Sequence, residues 1–255
     1  MLSNFLGIAL KNVVLGLRTY LRMTFIKIRW HEDPNGTHSD FLTHVIQHLH
    51  RLGPLQCIEI GCGNFSTPML AQLISQNPKS HLISFENNEE WFEKVFPIMR
   101  DKFQCDIRLV GSYKNSLQDF VESDNSDIDL VFIDSSPWES RVEALEIFRN
   151  EARVVVVHDV DYFPHNNIFG TELEPIKFPL LHLNLKPYFN YSRVGVRNYD
   201  SIFKFWVEIF PRVPSSPTGP PTLVGSNSID VREFFRGDDA PRKGLYVFST
   251  QEADT

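Results

Sequence analysis

The run Glu59-Ile60-Gly61-Cys62-Gly63-Asn64-Phe65-Ser66-Thr67-Pro68 holds a carboxylate, two glycines and two hydroxyls within ten residues, and Glu86 follows 25 residues after Gly61. Gly61 and Gly63 can take the backbone angles of a tight turn and let a ligand come close to the main chain. Ser66 or Thr67 suits the N-cap of a helix, and Pro68 suits its first turn, where a missing N–H costs nothing. The open N–H groups of such a helix start attract an anionic ligand group. Glu86 closes the run His81 to Phe85. A carboxylate at that place can accept both hydroxyls of a ribose. Together these residues make a nucleoside-binding half-site.

A second set of reactive side chains follows two apolar runs. Leu130-Val131-Phe132-Ile133 leads into Asp134, and Val154-Val155-Val156-Val157 leads into His158 and Asp159. His158 could take a proton from a substrate hydroxyl, because imidazole titrates near physiological pH. Asp134 and Asp159 could instead hold a divalent cation that lowers the pKa of that hydroxyl, or simply cap helices and orient loops. His44 and His48 have the i, i+4 spacing of a metal pair, but no third ligand stands beside them in the sequence. The expectation there is a solvated helix face.

The elements that must position these residues alternate in type. Helices are expected over Ser39–Leu52, Pro68–Ser75, Glu89–Lys102, Ser116–Glu122 and Ser140–Arg149, and strands over Leu55–Ile60, His81–Phe85, Asp106–Val110, Asp129–Ile133 and Arg153–Val157. Uninterrupted apolar strands suit a sheet covered on both faces, and the alternation implies parallel βαβ units with right-handed crossovers. The last third differs. Phe203 to Phe210 is aromatic and β-prone, with Leu181–Leu185 or Tyr188–Val196 as its expected hairpin partner. Leu245–Ser249 reads as a last short strand, and Trp91 and Phe92 as core. Pro211, Pro214, Pro217, Pro220 and Pro221 mark an irregular loop, either a substrate lid or a plain surface loop.

Which nucleoside is bound turns on Glu59 and Ser66. A dinucleotide fingerprint wants a third glycine where Ser66 stands. The pattern acidic-x-Gly-x-Gly resembles motif I of class I S-adenosylmethionine (SAM) methyltransferases. The fuller Glu-Ile-Gly-Cys-Gly-Asn-Phe-Ser-Thr, with Ser84-Phe85-Glu86 after it, resembles the members with Gly-x-Gly-x-x-Ser-Thr loops. The resemblance spans about residues 53–163. It implies a doubly wound, Rossmann-like, mostly parallel α/β sheet, to which the run Phe203 to Phe210 would add an antiparallel C-terminal edge hairpin. It implies SAM held by Glu59, Gly61, Gly63, Asn64, Ser66, Thr67 and Glu86. By position in the family, Asn87 shares the ribose contact and Ser112 approaches the adenine. Asp134, His158 and Asp159 resemble the acidic positions of metal-dependent O-methyltransferases. His158-Asp159-Val160 departs, however, from the Asp-Asn pair of the catechol type. The implied activity is O-methylation of a small molecule or glycan. The alternatives are a nicotinamide-dependent oxidoreductase on a similar sheet and a SAM-binding partner protein without turnover.

Charge and composition narrow the setting. The chain has 255 residues, a hydrophobic fraction of 42% and a net charge of −7, which suit one large folded domain and argue against general nucleic-acid affinity. Three cysteines, Cys57, Cys62 and Cys105, are few and odd in number, as expected for reduced thiols in the cytoplasm. Residues 1–31 carry Lys11, Arg18, Arg22, Lys27 and Arg29 and no acid, so the domain proper is expected over 32–255. Leu2, Phe5, Leu6, Ala9, Leu10, Val13, Leu17 and Leu21 recur at helical spacing opposite Asn4, Lys11, Arg18 and Arg22. Such a basic amphipathic helix can lie on an anionic membrane, bind a partner, pack on its own domain or serve as an organelle-targeting segment. The membrane reading predicts that the full chain sediments with anionic vesicles at low salt and that deleting residues 1–28 abolishes this. Full-length protein that ignores such vesicles contradicts it.

Overall fold

The computed structural model describes residues 39–100, 105–123, 127–137, 139–160, 199–211, 221–241 and 244–249. The basic helix expected over 1–31, the loop positions 212–220, and the strand candidates Leu181–Leu185 and Tyr188–Val196 lie outside these residues. Eight strands form one sheet: β1 (Gln56–Ile60), β2 (His81–Glu86), β3 (Cys105–Leu109), β4 (Ile128–Ile133), β5 (Ala152–Val157), β6 (Phe205–Pro211), β7 (Thr222–Ser226) and β8 (Gly244–Phe248). Their order across the sheet is β3-β2-β1-β4-β5-β7-β6-β8. Strands β1 to β5 pair in parallel, as the βαβ alternation requires. The order turns back between β1 and β4, so the crevice at their carboxyl ends is where a doubly wound sheet binds ligands.

Side-chain alternation along the strands divides the core in two. Cys57, Leu130, Phe132, Val154 and Val156 face one side. There they meet α1 (Ser39–His50), α2 (Ser66–Ile74) and α3 (Glu89–Arg100) through Phe41, Val45, Leu49, Leu70, Ile74 and Val95. Ile58, Ile60, Val131, Ile133 and Val155 face the other side. They meet α4 (Tyr113–Ser123) and α5 (Glu139–Phe148) through Leu117, Phe120, Leu145 and Phe148. Each fully buried aliphatic or aromatic side chain contributes roughly 1.5–3 kcal/mol.

The antiparallel C-terminal strands extend the sheet beyond β5, but not with the partner expected from the sequence. β7 lies between β5 and β6, with Val224 opposite both Val156 and Val207, and β8 pairs with the outer side of β6. No element is expected from the sequence over Thr222-Leu223-Val224-Gly225-Ser226, where only two residues are strongly apolar. Gly225 belongs in the strand for a packing reason: a Cβ there would stand 2.2 Å from the Phe203 ring. The short α6 (Glu233–Arg236) follows β7 and packs Phe234 and Phe235 into the first core half.

The start of α2 also departs from expectation. The helix begins at Ser66 itself, and Phe65 precedes it without a side-chain cap. The Thr67 hydroxyl instead accepts the Gly63 N–H at 2.9 Å, which holds the glycine turn against the helix. Glu59 lies beneath this junction, completely buried, and accepts Ser84 Oγ at 2.8 Å. The Ser66 and Thr67 hydroxyls lie nearby and favour the anion, but neither closes a hydrogen bond to Oε1. Burial prevails and pushes the Glu59 pKa from 4.5 up to about 7.

A raised carboxyl pKa means that the folded state keeps a proton the unfolded chain has already released. The stability gained this way is complete below pH 4.5 and is lost progressively as the pH rises toward about 7. Wild type should therefore lose stability relative to Glu59→Gln over that interval, by up to about 3 kcal/mol. Urea unfolding of both proteins across the interval checks this, and a difference independent of pH contradicts it.

Candidate functional site

The cleft at the carboxyl ends of β1, β2 and β4 has a volume of about 590 Å³, within the range of small-molecule sites. It is lined by Gly61, Cys62, Glu86, Asn87, Asn88, Glu90, Trp91, Lys94, Asp134, Ser136 and Pro137. The glycine turn forms its floor. Gly61 has φ +90°, and a Cβ there would stand 2.6 Å from Ser135 Cα and 2.7 Å from the Asp134 carbonyl oxygen. Only glycine lets the loops after β1 and β4 approach so closely.

Glu86 organises one wall. Its Oε2 accepts the Cys62 N–H at 2.8 Å, and its Oε1 accepts the N–H groups of Asn87 at 3.0 Å and Asn88 at 2.8 Å. A carboxylate has about four acceptor positions, so three backbone bonds leave it capacity toward the cleft. Asn88 Oδ1 caps α3 by accepting the Trp91 N–H at 2.9 Å. Trp91 Nε1 donates to the Cys62 carbonyl, and Lys94 lies 5.5 Å from the Trp91 ring centre. Trp91 and Phe92, expected in the core, do pack partly buried against it, and Trp91 also forms a wall of the cleft. The indole needs a hydrogen-bond partner, and the glycine turn offers a carbonyl at its edge. Cys62 brings no thiolate chemistry, because burial pushes its thiol pKa far up.

The opposite wall is built around Arg141 of α5. Its Nε donates to the Ser135 carbonyl at 2.8 Å and its NH1 to the His158 carbonyl at 2.6 Å. NH2 pairs with Asp134 Oδ1 at 2.9 Å, and NH1 approaches Asp159 Oδ2 at 3.5 Å. One guanidinium therefore ties the loop after β4 to the loop after β5. Burial and the neighbouring Asp159 carboxylate push the Asp134 pKa up, against the pull of Arg141. His158 Nδ1 lies 3.1 Å from Thr222 Oγ1, and Nε2 lies 3.2 Å from Asp159 Oδ1. Burial, assisted by Arg141, drives the His158 pKa down to about 3, so its ring is neutral at physiological pH. Asp159 sits at φ +53°, a strained backbone angle that its two cationic or ring neighbours hold in place.

Of the residues read from the sequence, Gly61, Glu86, Asn87 and Asp134 line the cleft. Gly63, Thr67 and Glu59 support it from beneath, Ser66 is buried at the helix start, and Asn64 and Ser112 are solvent-exposed and outside its lining. Asp134, His158 and Asp159 do converge, with donor atoms within 4.8 Å of one another. Only Asp134 of the three borders the cleft. Arg141 escaped the sequence reading, although a signal exists: it shares the buried helix face of Ala144, Leu145 and Phe148, where a charge requires a partner.

No family model matches the chain, and no curated protein matches its sequence. Similarity to solved structures is confined to the fold. A Staphylococcus aureus protein provisionally assigned as a caffeoyl-CoA O-methyltransferase aligns at 13% identity and a TM-score of 0.47, over 81% of this chain and 99% of its own. The O-methyltransferase TomG of Streptomyces achromogenes, in complex with SAM, aligns at 18% identity and 0.47, over 75% and 86%. The methyltransferase PaMTH1 of Podospora anserina, bound to SAH, aligns at 14% identity and 0.45, over 72% and 76%. At these scores no residue role transfers from them, and the site stands on its own geometry.

Proposed function

We propose that this chain is a SAM-dependent methyltransferase acting on an oxygen of a small molecule or glycan. The observation that carries the reading is the polarity of the glycine cleft. Among the described residues its lining includes Glu86, Glu90 and Asp134 against Lys94, and Lys94 is paired with Glu90 at 2.8 Å. The Cys62 and Gly63 N–H groups, which would cradle a pyrophosphate, are committed to Glu86 and Thr67. An acidic cleft with its loop donors turned inward suits a nucleoside that carries cationic groups and no phosphate. It disfavours a nicotinamide dinucleotide.

The residues present fit SAM. Glu86 would take a ribose hydroxyl with its remaining acceptor capacity, Asn87 would stand beside it, and the Gly61–Cys62 backbone would permit close approach. Bound there, SAM supplies an electrophilic methyl group on a sulfonium. Asp134 is assigned as the group that orients the acceptor hydroxyl and takes its proton at Oδ2, the oxygen not paired with Arg141. Its raised pKa makes it a better base than an ordinary aspartate. Holding the acceptor oxygen in line supplies much of the remaining rate. His158 and Asp159 act from behind, by fixing Arg141. Arg141 already pairs with both carboxylates, which favours metal-free chemistry.

Incubation with methyl-labelled SAM and a panel of phenols, catechols and sugars tests this reading. Label should move to an acceptor, and chelators should leave the rate unchanged. Asp134→Asn should lower turnover by roughly 10²–10⁴-fold with little change in SAM affinity. Chelator-sensitive transfer restored by magnesium would instead assign Asp134 and Asp159 to a metal. Tight SAM binding without transfer to any acceptor would favour the non-catalytic partner.

A further inference from the structure

On α1, His44 and His48 meet Asp239, which lies in the segment between α6 and β8. One donor atom from each of the three residues lies within 4.8 Å of the other two. The sequence suggested a solvated pair of imidazoles, but His44 is buried and His48 is half-buried, because Phe234 and Phe235 pack over them. The His48 ring stacks on Phe234 at 4.8 Å, and the His44 ring lies 5.4 Å from Phe235.

Two observations point to a cation. First, His48 Nε2 is buried with no hydrogen-bond partner, and it lies 3.6 Å from Asp239 Oδ2. That gap is long for a hydrogen bond. It matches the edge of a zinc tetrahedron, where ligands about 2.1 Å from the metal stand about 3.4 Å apart. Second, His44 Nε2 is 2.5 Å from the Phe234 carbonyl oxygen. An imidazole that donates one N–H to a backbone carbonyl keeps its other nitrogen as a lone-pair donor, the usual outer-shell arrangement of a metal-bound histidine. Arg51 lies 3.9 Å from Asp239, is largely exposed and can swing into solvent.

We propose that His44, His48 and Asp239 form a zinc site that ties α1 to the segment after α6. Two imidazoles and one carboxylate suit zinc and leave a fourth position to solvent; magnesium prefers an all-oxygen shell. The site is separate from the glycine cleft and does not depend on the methyltransferase reading.

The test uses the full chain, stripped with a chelator and then freed of it. Zinc is titrated against a competing chromophoric chelator, and thermal unfolding is followed with and without zinc. Wild type should bind one equivalent that Asp239→Asn and His48→Gln lose, and zinc should raise the unfolding temperature of wild type alone. The affinity loss in each variant should reach at least the roughly 10–100-fold that removal of an outer-shell partner costs. Asp239 is exposed, so Asp239→Asn should fold normally even if His48→Gln does not. No zinc binding by wild type, or unchanged zinc affinity in Asp239→Asn, overturns the proposal.

Discussion

The three backbone N–H groups gathered by the Glu86 carboxylate set the shape of the cleft. Cys62 belongs to the turn after β1, while Asn87 and Asn88 lead from β2 into α3. A single side chain thus fixes the glycine turn to the neighbouring strand end and positions the N-terminus of α3. Trp91 then closes over the turn from that helix. Hydrogen bonds to an ionised acceptor contribute roughly 1.5–3 kcal/mol each, so this one carboxylate outweighs any other polar residue of the loop. Its structural role and its proposed ribose contact use the same charge, which is why the pocket is preorganised rather than assembled by the ligand.

A second charge balance governs the opposite wall. Asp134 and Asp159 would repel each other at close range, and the buried Arg141 guanidinium relieves that repulsion while hydrogen-bonding two carbonyls. Removing one partner of such a buried arrangement is costly because the remaining charges lose their compensation. In the proposed reaction this divides the labour. Asp134 reaches the cleft, whereas His158 and Asp159 hold the clamp. The wall is pinned to the antiparallel part of the sheet as well, because His158 contacts Thr222 at the start of β7.

Local patterns in the sequence carry the parallel half of this fold. The apolar runs before Gly61, Glu86, Asp134 and His158 are strands because they are buried on both faces, and the residue types that end them are legible by spacing alone. What spacing could not reveal is contact between distant segments. β7 is short and framed by proline and glycine, and it becomes a strand only because β5 and β6 flank it and Phe203 fills the space over Gly225. Arg141 shows as an anomaly on an apolar helix face, but its partners come from two other loops. Asp239 meets His48 across 191 positions, so no local motif signals the pair. Thr67, one of two candidate caps, serves the glycine turn instead, its hydroxyl accepting the Gly63 N–H.

Calorimetric titration of the full chain with SAM and with NAD, on wild type and on Glu86→Ala, tests the central claim most directly. An acidic cleft with inward-turned loop donors should bind SAM and leave NAD unbound. Loss of the Glu86 carboxylate should weaken SAM at least roughly tenfold, the equivalent of one hydrogen bond to a charged group. NAD binding in place of SAM, or unchanged SAM affinity in a folded Glu86→Ala protein, would contradict the assignment of this cleft.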